Sequence, residues 1–126
     1  MPKVIHFEIP AENPEMVSRF YAEVFGWKIK QWQDQQYWLI EAGPKRERGI
    51  NGAIYQKDET KQMDRTVNTI GVDHLEAYVA KVQRSGGEVM DEIREIPGVG
   101  YFVYAKDPEG TMFGMLEPAK EMGKMM

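Results

Sequence analysis

Two residues near the start of the chain carry groups suited to chemistry, His6 and Glu8. They stand two apart in Val4-Ile5-His6-Phe7-Glu8-Ile9, where Ile5, Phe7 and Ile9 alternate with them. In a strand, residues two apart share a face, so imidazole and carboxylate lie side by side, opposite the apolar set. Such a pair can exchange a proton with a ligand or hold a metal ion weakly. The other histidine, His74, stands at the start of a helical pattern and reads as an exposed first-turn residue. Asp107-Pro108-Glu109-Gly110 is acidic, but its proline and glycine explain it as a turn.

What is missing narrows the chemistry further. With no cysteine, disulfides, thiolate-ligated zinc, iron–sulfur clusters and a thiol nucleophile are excluded. Two histidines are too few for a His-rich metal site within one chain. The 126 residues are one domain's worth, and 42% hydrophobic with 29% charged residues fits a soluble globular protein. A net charge of −4 argues against a nucleic-acid partner, because phosphate contacts favour basic surfaces. No apolar run approaches the ~20 residues that cross a bilayer, and no signal peptide precedes the first strand, so no membrane partner and a cytoplasmic location are expected.

The elements that must position His6 and Glu8 repeat. After the first strand, Asn13 can cap a helix, Pro14 fits its first turn and Glu15 suits its dipole. Val17, Phe20, Tyr21 and Val24 form its apolar stripe, and Gly26 stops it. Strands follow over 27–32, 37–42 and 50–56. Residues 57–66 are polar and aperiodic and read as a linker. A strand over 67–72 begins the second pass. Asp73 caps a helix with Glu76 three residues on, and Leu75, Tyr78, Val79 and Val82 form the stripe, ended by Gly86-Gly87. Strands over 88–93, 100–106 and 111–117 complete it. The reading is a single domain over 1–126, with module one at 3–56, the linker at 57–66, module two at 67–118 and a frayed tail at 119–126. The predicted fold is α+β: two tandem βαβββ modules forming a curved mixed sheet around a central cleft, with helices on the outer face. A cleft between modules is a natural small-molecule site.

Tandem βαβββ modules, His6 on the first strand, Phe20-Tyr21 in the helix, Phe25-Gly26-Trp27 at its end and Asp107-Pro108-Glu109-Gly110 before the last strand resemble the vicinal oxygen chelate superfamily. That group includes glyoxalase I, extradiol dioxygenases, fosfomycin-resistance enzymes and bleomycin-binding proteins. The resemblance implies His or Gln and Glu ligands on the first and last strand of each module, holding one divalent ion. Carried over, these positions fall on His6, Ala53, Val67 and Gly114, so one ligand of four survives. Neither His74 nor Glu117 replaces a missing one by a shift of register. No cofactor is therefore expected, and a divalent metal only against the odds of its donor set.

The resemblance also turns Tyr104 toward the cleft, and alternation brings Phe102 with it. By correspondence between modules, Trp38 and Ile40 join them. Asn51, Ala53 and Tyr55 should face inward with Met112, Gly114 and Leu116, and Val67 with Thr69 on the fifth strand. The expected function is binding of a small aromatic or planar molecule by a glyoxalase/bleomycin-resistance-like protein with a degenerate metal site. The alternative is a metal-assisted lyase, isomerase or dioxygenase acting on a small oxygenated substrate through His6 and Glu8. Open strand edges also allow a homodimer.

Overall fold

The computed structural model describes residues 2–119, so residues 120–126 of the expected frayed tail lie outside it. The element order is β1 (Lys3–Ala11), α1 (Pro14–Phe25), β2 (Lys28–Gln31), β3 (Tyr37–Glu41), β4 (Gly52–Gln56), a 3-10 turn (Glu59–Lys61), β5 (Val67–Gly71), α2 (Leu75–Arg84), β6 (Glu88–Val89), β7 (Arg94–Ile96), β8 (Gly100–Lys106) and β9 (Met112–Pro118). Among the described residues two helices and nine strands, parallel and antiparallel, make the α+β fold that the repeat predicts. The chain forms two compact units, one over His6–Val67 and one that joins residues up to Ile5 to those from Asn68 onward.

In the His6–Val67 unit the strands lie in the order β2-β3-β4-β1. β1 runs parallel to β4, and the other neighbours are antiparallel. α1 starts and stops where its sequence dictates: the Asn13 side chain accepts from Met16 N–H at 3.1 Å, Pro14 fills the first turn, and Gly26 closes the end at φ 72°. One sheet face, with Ala11, Trp38, Ile40 and Ile54 at its centre, packs on Val17 and Tyr21 of the helix. Tyr21 also stacks on Trp27, ring centroids 5.0 Å apart.

The buried stripe of α1 differs from the expected one. Phe20 is 55% exposed and Val24 is exposed too, while Val17 and Tyr21 do the packing. Consecutive helical residues are turned by about 100°, so with Tyr21 on the sheet Phe20 swings to the rim. Phe20→Ala should therefore change unfolding free energy by less than about 1 kcal/mol, measured by urea denaturation. A loss of several kcal/mol would put Phe20 in the core.

The expected linker is folded rather than slack. Lys57 N–H bonds to Ala11 C=O at 2.9 Å, Asp58 bridges to Met63, and the Asp58 side chain caps the 3-10 turn. Tyr55 O–H donates to Arg65 C=O at 2.6 Å.

In the other unit β5 runs parallel to β9, β9 is antiparallel to β8, and both β6 and β7 pair with β8. Its core joins Val103, Ala105 and Met115 of the sheet to Val72 and Leu75, with Tyr78, Val79 and Val82 of α2 packed against them. Two expectations fail locally. Of the strand expected over 88–93 only Glu88–Val89 forms, as β6, and β7 begins at Arg94, just past the expected end; between them the Asp91 side chain accepts from Glu92 N–H at 2.8 Å. Asp73 does not cap α2 either. The capping position falls on His74, whose side chain makes no cap bond, and Glu117 on β9 accepts from Leu75 N–H at 2.9 Å instead. A carboxylate from the sheet thus satisfies a helix-start donor. The Asp107-Pro108-Glu109-Gly110 turn forms as read, with the Asp107 carboxylate accepting from Glu109 and Thr111 N–H.

Candidate functional site

Each unit has a sheet face turned away from its own helix, and the predicted site residues divide between these faces. In the His6–Val67 unit, Glu8 pairs with Ala53, Ala53 with Leu39, and Tyr55 with Tyr37. Partners across a ladder share a face. His6, Glu8, Ala53 and Tyr55 therefore stand where the sequence places them, joined by Tyr37 and Leu39.

Trp38 and Ile40 do not stand there. They belong to the core cluster against α1, on the opposite face. The first four residues of β3, Tyr37-Trp38-Leu39-Ile40, are apolar, so alternation among them carries no phase and the correspondence with β8 chose the wrong one. Asn51 is also misplaced. It lies just before β4, exposed, with its side chain accepting from Ala42 N–H at 2.9 Å, and it serves as a brace at the end of β3.

The polar centre of this face is tightly knit. His6 Nε2 lies 2.9 Å from the Tyr37 hydroxyl, so one of the two donates to the other. Glu8 is 5% exposed. Burial pushes the His6 imidazole below its ordinary value, and the Glu8 charge opposes part of that shift. The Tyr55 phenol is pushed up to about 12, by burial first and then by the Glu8 charge, against the effect of its bond to the Arg65 carbonyl. Tyr55 is thus a neutral donor, and its hydrogen is already committed.

A depressed imidazole has a definite pH signature. The unfolded chain takes up the proton at about pH 6.5, before the folded chain does. The contribution of neutral His6 is complete above that pH and is lost as pH falls through the folded-state value. Between pH 7.5 and 5, melting temperature should fall more steeply for the native chain than for His6→Gln. Parallel profiles would show that His6 titrates as it does in water.

In the second unit, Tyr104 pairs with Gly114, Phe102 with Leu116, Lys106 with Met112, and Thr69 with Gly114. Thr69, Phe102, Tyr104, Met112, Gly114 and Leu116 share the face opposite Val103, Ala105 and Met115, as alternation predicts. Val67, two before Thr69, takes the same side of β5. The Phe102 and Tyr104 rings meet edge to face, centroids 4.6 Å apart. A Cβ added at Gly114 would come within 2.8 Å of Phe102 Cζ and 2.9 Å of Thr69 Oγ1. The glycine is what lets that ring lie over the strand.

One residue of this face escaped the sequence reading. Arg94 on β7 pairs with Phe102, and its guanidinium carbon lies 6.0 Å from the Phe102 ring centre and 5.8 Å from that of Tyr104. The alternation of Arg94 and Ile96 was the available signal, but the expected strand stopped at 93.

The residues present do not fit the family's divalent ion. Of the four carried-over positions, Ala53, Val67 and Gly114 have no side-chain donor atom, and His6 Nε2 is engaged with Tyr37. Among the described residues no three His, Cys, Asp or Glu side chains gather closely enough to hold a metal. Among them, too, no helix is long and apolar enough to cross a membrane.

These features define the class. The family model of the Glyoxalase/Bleomycin resistance protein/Dioxygenase superfamily matches residues 3–115, and the chain belongs to that superfamily. Among curated proteins it is similar to "Putative glyoxylase CFP32" of Mycobacterium bovis, 27% identical over 117 residues, which cover 90% of this chain and 43% of the relative. The chain thus spans under half the length of that relative. Among solved structures it resembles methylmalonyl-CoA epimerase from Mycobacterium tuberculosis, with a TM-score of 0.69 at 15% identity over 96% of this chain and 91% of that one. A Streptomyces coelicolor methylmalonyl-CoA epimerase in complex with 2-nitronate-propionyl-CoA matches with a TM-score of 0.69 at 14% identity, over 95% and 96% of the two chains.

Proposed function

We propose that this chain is a glyoxalase/bleomycin-resistance-like protein that binds a small planar or aromatic molecule without a metal, on the sheet face turned away from α2. The observation that carries this reading is the edge-to-face pair of Phe102 and Tyr104 beside Gly114, on a face that its own helix does not cover. A planar ligand can lie on such rings, and one aromatic contact contributes about 0.5–1.5 kcal/mol beyond its buried area. The donor set around His6 supports binding that needs no ion.

Gly114→Phe would be a poor blocking variant, because even its Cβ collides with Phe102. Tyr104→Ala is better, since Tyr104 is only partly buried. In a titration with planar aromatic probes, Tyr104→Ala should weaken binding roughly 3–10-fold, while its melting temperature stays within a few degrees of the native chain. Equal affinity for both chains would place the ligand elsewhere.

A buried carboxylate beside an imidazole held neutral favours a second reading, proton transfer to or from a small oxygenated substrate by Glu8 and His6. In the same titration Glu8→Gln keeps the shape and removes the proton acceptor. Retained binding with abolished turnover would carry the enzyme reading over the binder.

A further inference from the structure

Arg94 on β7 places a positive charge beside the Phe102 and Tyr104 rings. It is exposed, no carboxylate pairs with it among the described residues, and its guanidinium rests over Phe102 and Tyr104. Cation–aromatic contact fixes the plane of the group but leaves its N–H fork unpaired. A second observation lies on the same face. Thr69 is 2% exposed, and its Oγ1 has no hydrogen-bond partner among the described residues. A buried hydroxyl left unmatched destabilises the chain that carries it. The point where a Gly114 Cβ would stand lies 2.9 Å from Thr69 Oγ1 and 2.8 Å from Phe102 Cζ, so the hydroxyl and the Phe102 ring flank the same spot over Gly114. The guanidinium lies over that same ring.

Resting on the reading that a planar ligand lies against Phe102 and Tyr104, we propose that the ligand is an acid. Its carboxylate pairs with Arg94, and the Thr69 hydroxyl on the same sheet face supplies a second polar contact. Arginine suits this role because its planar fork can meet both oxygens of a carboxylate. The Thr69 hydroxyl is matched only in the occupied state.

The test uses the intact chain with 2-naphthoate and its uncharged partner 2-naphthamide, measured by calorimetry at low and at 0.15 M salt. Native protein should bind naphthoate about tenfold or more tighter than naphthamide, as expected for hydrogen bonds to a charged group. Arg94→Gln should bring that ratio close to one and leave naphthamide affinity within about twofold, because the aromatic contacts remain. Thr69→Val, nearly the same in shape, should weaken naphthoate about threefold or more while raising the melting temperature of the free protein. If both probes bind the native chain equally, the planar-ligand reading stands and the acid falls. A ratio that survives Arg94→Gln removes Arg94 as the anchor. Unchanged naphthoate affinity in Thr69→Val removes the hydroxyl from the site. If neither probe binds, the ligand site and the acid are overturned together.

Discussion

Gly52→Ala is expected to lower the unfolding free energy by about 3 kcal/mol, the upper part of the usual range for overpacking. A Cβ at this position would stand 2.5 Å from Phe7 C=O and 2.7 Å from two atoms of the Phe7 ring. A ring can turn, but a strand carbonyl cannot withdraw without opening the parallel β1–β4 ladder, where Phe7 and Gly52 are register partners. That ladder aligns Glu8 with Ala53, so damage here should also release the His6–Tyr37 contact. Urea denaturation with histidine NMR would measure both effects. Gly43→Ala is the control: its nearest neighbour is the flexible Glu47 carboxylate at 3.1 Å, and it should cost far less. Equal, small losses in the two variants would show that β1 and β4 are not held at this spacing.

Leu75→Ala should cost about 3 kcal/mol or more, by lost burial and by the cavity left behind. Leu75 is 1% exposed and belongs to one cluster with Val72, Val103, Ala105 and Met115. It is also the first residue of α2, so the cavity opens where the helix is anchored to β9 through Glu117. Calorimetry should show a melting temperature lower by many degrees, with near-native secondary structure below it. A loss under about 1 kcal/mol would mean that α2 is held by its later turns.

How much of this was legible in the sequence depended on whether a pattern had a phase. β1 announces its two faces because His6 and Glu8 break an apolar run, and the structure keeps that division. On β8 the resemblance turned Tyr104 toward the cleft and alternation carried Phe102 with it, and the structure puts both on the face of Gly114 and Leu116. β3 offers four apolar residues in a row, so its phase is set by tertiary pairing: Leu39 must oppose Ala53 once Ile54 is committed to α1. The stripe of α1 had the right period and too wide an arc, and the local sequence does not say which edge of the arc meets the sheet. Glu117 capping α2 lay beyond local reading altogether, since the two partners are 42 residues apart. Arg94 was missed because the expected strand ended at 93, one residue short of β7.

The tie between Glu117 and Leu75 has a consequence for the chain during its synthesis. Within its unit β5 finds its parallel neighbour in β9, and the same late strand supplies the group that closes the start of α2. A nascent chain that has emerged only as far as β8 carries a helix with an open N-terminus and a first strand still lacking that neighbour. Contacts this distant in sequence are slow to close, and unpaired strands are exposed to other chains meanwhile. Completion of this half of the molecule therefore waits for β9, the strand that both pairs with β5 and carries the carboxylate at the start of α2.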